Sequence, residues 1–195
     1  MRKLNLFALM ALFLLLMPSC NELKQLQNLS KCQFRLNSIE DIRLAGVKLQ
    51  NVSDIKQISL LDVGKLTTAY VANSFPLSFK LNVDAKNPND KPAAMTALDW
   101  ILLIDDIQMT EGLVNNRYQI PAQGVTSIPM DFNFDLKKVL SGRSKDAIIN
   151  FALNLAGVGD KPTRLTLKAK PTVNVGAIPI TYPGYLSVKT NFTSK

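Results

Sequence analysis

From Leu77 to Ala85 the chain reads Leu-Ser-Phe-Lys-Leu-Asn-Val-Asp-Ala, with apolar and polar residues alternating at every step. Side chains on a β-strand point to opposite faces in turn, so this order buries one face and leaves the other in water. A helix cannot use the pattern, because a period of two scatters the apolar residues around its surface. The segment runs into Asn87-Pro88-Asn89-Asp90-Lys91-Pro92. Proline fixes φ there, and Asn and Asp bond neighbouring amides, so the strand stops and the chain turns.

Later segments repeat the style. Asp99 to Asp105 holds a continuous apolar run, which predicts a central strand covered on both faces. Tyr118-Gln119-Ile120-Pro121 leads through Ala122-Gln123-Gly124 into a strand where Ile128, Met130, Phe132 and Phe134 share one parity. Pro129 within it belongs at a position that donates no ladder bond. Leu165, Leu167 and Ala169 alternate with Thr166, Lys168 and Lys170, and Val173 to Tyr182 with Tyr185 to Thr190 predict a last strand pair around Pro183-Gly184. Strands separated by turn residues in this way predict a mainly β, antiparallel β-sandwich. One or two helices are added to it. Ser59-Leu60-Leu61-Asp62 has the form of a helix cap, with Leu60, Val63, Leu66 and Tyr70 at helical spacing. Ser144 to Ala156 puts Ile148, Phe151, Ala152 and Leu155 on one stripe, ahead of Gly157. Both stripes are predicted to pack on the sandwich rather than to bind a partner.

Ahead of the strands lies a leader. Arg2 and Lys3 precede an apolar stretch from Leu4 to Met17, followed by Pro18-Ser19-Cys20. The stretch is shorter than the ~20 residues a membrane-spanning helix needs, so it reads as a secretory signal peptide. Leu16-Met17-Pro18-Ser19-Cys20 resembles the bacterial lipoprotein signal, with Met17 where that pattern prefers Leu. The resemblance implies that Cys20 is the lipid attachment site and the mature N-terminus. Two other readings stand beside it: Cys20 follows an ordinary cleavage site, or it pairs with Cys32 in a disulfide. The organisation is then a signal peptide over 1–19, a tether over 20–30 and a single domain over 31–195. The tether is polar apart from Leu23, Leu26 and Leu29, with room for one helical turn. Cys32 shares its parity with Phe34 and Leu36, which predicts a buried and inert thiol.

The chain contains no histidine, which removes the side chain most used for proton transfer near neutral pH and a principal ligand for transition metals. No catalytic residue, metal ligand or cofactor is assigned. Its formal net charge is +8, yet Lys and Arg are scattered singly, without the basic cluster and interleaved aromatics that nucleic acid requires. A solvated basic surface suited to an anionic membrane is expected, and no nucleic acid. Asp105 and Asp106, read as consecutive strand residues, point to opposite faces and cannot grip one atom together. Trp100 is expected to be a core anchor.

The order Leu81-Asn82-Val83-Asp84-Ala85-Lys86-Asn87-Pro88-Asn89, then the apolar strand, then Ile120-Pro121-Ala122-Gln123-Gly124-Val125-Thr126-Ser127-Ile128-Pro129-Met130 resembles the type 2 late embryogenesis abundant family, also called the water-stress and hypersensitive-response domain. Ile178-Pro179-Ile180-Thr181-Tyr182-Pro183-Gly184 resembles that family's closing strands. The resemblance covers roughly residues 31 to 192. It implies a fibronectin- or immunoglobulin-like sandwich, an association with stress tolerance or the cell envelope, and no established enzyme activity. Asn87, Pro88 and Asn89 carry the best match, and their own chemistry assigns them to turn geometry. Joined to the leader, these features lead to the expectation of a lipid-anchored, non-catalytic envelope protein on the periplasmic side of the outer membrane. Its partner would be the membrane, through the N-terminal lipid. The alternative is a carrier or sensor of an apolar ligand such as a lipid.

Overall fold

The computed structural model describes residues 19–49, 52, 57–157, 163–175 and 177–192, and the apolar leader before Ser19 lies outside them. In chain order the elements are α1 (Ser19–Ser30), β1 (Gln33–Leu44), β2 (Val47–Lys48), α2 (Leu60–Val71), β3 (Pro76–Lys86), β4 (Ala93–Met95), β5 (Ala97–Ile104), β6 (Ile107–Val114), β7 (Tyr118–Ile120), β8 (Val125–Asp135), α3 (Leu136–Val139), α4 (Lys145–Leu155), β9 (Thr163–Val175), β10 (Ile178–Thr181) and β11 (Leu186–Phe192). One antiparallel sheet has the order β2-β1-β3-β8. The other has the order β10-β9-β5-β6, with β11 also paired to β9, and β4 with β7 forms a small third pair.

The alternating segment lies inside β3, a central strand of the first sheet. Leu77, Phe79, Leu81 and Val83 are buried, and in register on β8 so are Phe134, Phe132, Met130 and Ile128. The second sheet meets them with Leu98, Leu102 and Ile104 from β5 and Leu165, Leu167 and Ala169 from β9. The contact between sheets is aromatic. Phe79 stacks on Phe132 at 5.2 Å between ring centroids, and Trp100 of β5 meets the same Phe132 edge-on at 4.7 Å. The expected antiparallel sandwich is present. Pro129 sits on β8, an edge strand, where a missing N–H costs little.

Four expectations are corrected. First, the segment taken as a tether is the helix α1, whose Leu29 is fully buried and whose contacts are with β4 and β9. Leu23, Leu26 and Leu29 recur every three residues, which is a helical stripe. Second, β5 is central but covered on one face only: Asp99 is exposed, and Ile101 and Leu103 are half-buried. The strands on either side place Glu111 and Lys168 in register with Ile101, so that face stays wet.

Third, Val173 to Tyr182 does not pair with the final strand. β9 is 13 residues long, and along one edge it takes β10 beside Thr172–Val175 and β11 beside Thr163–Ala169. Pro183-Gly184 falls in the break between two segments of one edge strand, where Pro has no N–H for the ladder. Fourth, α2 is capped as expected, with Ser59 Oγ accepting from the Asp62 amide, yet within its stripe Leu66 is the buried member and Leu60 is 90% exposed. By contrast α4 follows its reading. Ser144 Oγ accepts from the Ala147 amide, Ile148, Ala152 and Leu155 are buried, and Gly157 follows at φ +75°.

Phe79→Ala should cost ~3–5 kcal/mol, the usual effect of deleting a buried aromatic. Lys80→Ala should stay within ~0.5 kcal/mol, because its ion pair with Asp131 spans 3.8 Å between exposed groups. Urea unfolding of the chain from Ser19 onward checks this: the first variant lowers the midpoint at nearly constant slope, and the second leaves it in place.

Candidate functional site

The loop after β3 carries the sequence's most specific motif. Asn87 is fully buried. Its Nδ2 donates to the carbonyls of Lys91 (3.0 Å), Ile120 (3.1 Å) and Pro121 (3.0 Å). Its Oδ1 accepts from the Asn89 amide at 3.0 Å and from Asn89 Nδ2 at 2.6 Å. Its own amide donates to the Gly124 carbonyl at 2.8 Å. One side chain thus joins the 87–92 loop to the turn between β7 and β8.

Asn89 extends the network to the helix. Its Nδ2 donates to the Asn28 carbonyl at 3.0 Å, and Asn28 Nδ2 returns to the Pro92 carbonyl at 3.1 Å. Gln123, at φ +56°, donates through Nε2 to the Pro88 carbonyl and to Asp90. Asn87, Pro88 and Asn89 lie in the loop that follows β3, and the structure adds what local pattern missed: the motif is a lock between α1, the β3–β4 loop and the β7–β8 turn. Asn28 and Gln123 are its other members. They lie 61 and 34 positions from Asn89 along the chain, so only the fold brings them together. Every polar atom of the Asn87 side chain is engaged, so none is free to hold a ligand.

A second polar group lies on the outer face of β3. Asp84, 7% exposed, accepts from Arg35 through Nη2 (3.0 Å) and Nε (3.3 Å), with Asn37 Nδ2 at 3.4 Å. Beside it Asn82 donates to Ser38 and Glu40 across the strand pair. This ladder fixes the β1–β3 register next to the irregularities between Leu36 and Ser38 and between Glu40 and Arg43.

Asp105 and Asp106 are corrected in detail. They are not strand residues but the two central residues of the β5–β6 turn, at φ +49° and +64°, as a hairpin turn of twisted strands demands. Being in a turn, they converge instead of diverging. Asp105 accepts from the Arg164 amide at 3.0 Å, and Asp106 pairs with the Arg164 guanidinium. Both acids remain exposed, and their shared task is to hold the start of β9.

Cys32 is half-buried, and its Sγ lies 3.4 Å from the Asn28 carbonyl. Burial pushes its thiol up to about 11, so it stays protonated at neutral pH and is a poor nucleophile. Trp100 is the anchor expected of it, packed on Phe132. Cys20 is the second residue of α1. Between the sheets the apolar cavity lined by Phe34, Val83, Leu98, Met130, Leu167 and Leu186 measures about 20 Å³. That volume admits about one water and no acyl chain.

No protein-family model matches the sequence, and no curated protein matches it. Among solved structures the chain is similar to a protein from Archaeoglobus fulgidus at 12% identity, over 81% of this chain and 98% of that one, with a TM-score of 0.36. It is similar to an Arabidopsis thaliana protein at 13% identity, over 60% and 70%, with a TM-score of 0.41. A protein described as late embryogenesis abundant is 12% identical over 86% of this chain and 75% of its own, with a TM-score of 0.38. Likeness at this level transfers no function and no functional residue to this chain.

If Asn87 is the lock, Asn87→Ala removes the donor to the Lys91, Ile120 and Pro121 carbonyls and the acceptor of the Asn89 amide. Although the Pro121 carbonyl keeps the Gly124 amide, the change should cost about 3 kcal/mol at ~1–3 kcal/mol per buried unsatisfied group. Asn89→Ala, at a half-buried position that water reaches, should cost about 1 kcal/mol. Urea midpoints of the two variants test the ranking, and a larger loss at Asn89 would contradict it.

Proposed function

We propose that this protein is a lipid-anchored, non-catalytic module of the cell envelope, of the type 2 late embryogenesis abundant kind. It is held through Cys20 on the periplasmic side of the outer membrane, and its sandwich protects or contacts neighbouring macromolecules. The observation that carries the non-catalytic reading is the use to which the candidate groups are put. Asn87 spends its whole side chain on the fold, Asp105 and Asp106 hold Arg164, and the Cys32 thiol stays protonated. The position of Cys20 supports the anchor, because it is the second residue of α1, directly after the apolar leader in sequence.

The carrier reading fares worse. An acyl chain between the sheets would have to displace core side chains from a cavity of about 20 Å³. Native mass spectrometry of the protein from its own cells separates the two, since a carrier arrives with lipid bound non-covalently and an anchored module does not.

The anchor has its own test. Multiple acyl chains contribute ~0.8 kcal/mol per buried methylene and hold a protein on a bilayer for good. Cells fed an alkynyl fatty acid should label the wild-type chain and leave Cys20→Ala unlabelled, with the variant in the soluble fraction or retaining its leader. Equal labelling of the two chains removes the proposal.

A further inference from the structure

We infer that the outer face of α2 docks on an anionic lipid bilayer. The face is defined by exposure: Leu60 at 90%, Leu61 at 81%, Val71 at 79% and Val63 at 45%. At 100° per residue these side chains, together with Thr67 and Thr68, fall within an arc of about 160° that contains no charge. The charged residues of the helix, Asp62 and Lys65, lie outside that arc and pair with each other at 2.8 Å. On the opposite side Leu66 is buried, and Tyr70 is pinned between Phe75 and Lys137. The helix is therefore fixed to the sandwich by one side and turns an apolar face outward. A concentration of exposed apolar side chains of this kind marks a surface that meets something.

The surroundings of the helix choose the occupant. Lys48, Lys137 and Lys138 come from the elements next to α2, and Lys65 from the helix itself. Among the described residues, Asp62, already bonded to Ser59 and Lys65, and Asp135, whose Oδ1 accepts from the Phe75 and Lys137 amides, stand against them. A basic rim around an apolar face is the arrangement of a helix lying in a headgroup layer, with its apolar side reaching the acyl boundary. A second copy of this chain would bring the same basic rim, and a net positive charge even without Arg2 and Lys3 of the leader, against it. Size argues the same way. A helix of 12 residues is about 18 Å long and about 10–12 Å wide, far short of the ~800 Å² per partner of a stable protein interface.

The test uses the full chain with Cys32→Ala, which removes the other thiol, reconstituted into vesicles, with bimane attached to Leu61→Cys, Val71→Cys or, as a control on the open face of β6, Glu111→Cys. The Cys32→Ala chain without an added cysteine is treated alike. Label on it reports an unacylated Cys20, so failure of the anchor is read separately from failure of the docking face. In vesicles of equal parts brominated phosphatidylglycerol and brominated phosphatidylcholine, emission from positions 61 and 71 should be lost, while position 111 stays bright. Adding Leu60→Glu and Leu61→Glu to the Val71→Cys chain should restore its emission. Full emission at 61 and 71 overturns the inference. So does disulfide-linked pairing of Leu61→Cys chains with no loss of emission, which would assign the face to a second copy. Equal loss in brominated phosphatidylcholine alone overturns the anionic preference.

Discussion

Phe132 is the point at which the two sheets become one core. Its ring is stacked by Phe79 within its own sheet and met edge-on by Trp100 from the other. Such aromatic pairs contribute ~0.5–1.5 kcal/mol beyond the area they bury. The arrangement imposes a condition on a fourth strand. A Cβ at Gly112, opposite Trp100 on β6, would lie 2.5 Å from the indole ring, so the ring rests where any side chain at 112 would have to go. It also has a cost: Trp100 Nε1 is buried with no partner. An unmet N–H costs ~1–3 kcal/mol, which burial of a large ring offsets.

What could be read from the sequence was what depends on neighbours in the chain. The alternation from Leu77 to Ala85 and the parity of Ile128 to Phe134 each fix one face of one strand, and the strand periodicity needs nothing else. The caps at Ser59 and Ser144 are equally local, each completed three residues on. Failures came where the deciding partner is distant. The full helix α1 is not legible in the polar segment with its three leucines, because β4 and β9, which receive the helix, lie more than sixty residues away. The final strands were paired with each other because nothing near Pro183 reveals that β9 is long enough to template both.

The candidate site divides the same way. Asn87-Pro88-Asn89 was legible as a turn, since Asx and Pro chemistry is local. Its role as a lock was not, because Asn28 and Gln123 are ordinary polar residues until the fold delivers them. Asp105-Asp106 misled for an instructive reason. Placing them in the strand made them diverge, whereas a hairpin turn with positive φ at both positions makes them converge on Arg164. A shift of two residues in an element boundary reverses the conclusion about whether two acids can act together.

The edges of the sandwich bear on how it can meet other molecules. β8 carries Pro129, β1 has two breaks in register with Asp41 at φ +52°, and the edge beside β9 is split into β10 and β11. Prolines, bulges and short segments are the devices that keep sheet edges from pairing with other chains. Strand addition is thereby disfavoured at these three edges, though not at β6, and the two helices α1 and α2 offer surfaces outside the sheets. These sit at opposite ends: α1 leads into the start of β1, and α2 follows from its far end through β2. A strand of 12 residues at ~3.3 Å each separates them by about 40 Å. If Cys20 carries the proposed lipid and the α2 face meets the proposed bilayer, the long axis of the sandwich sets the distance between the two attachment points.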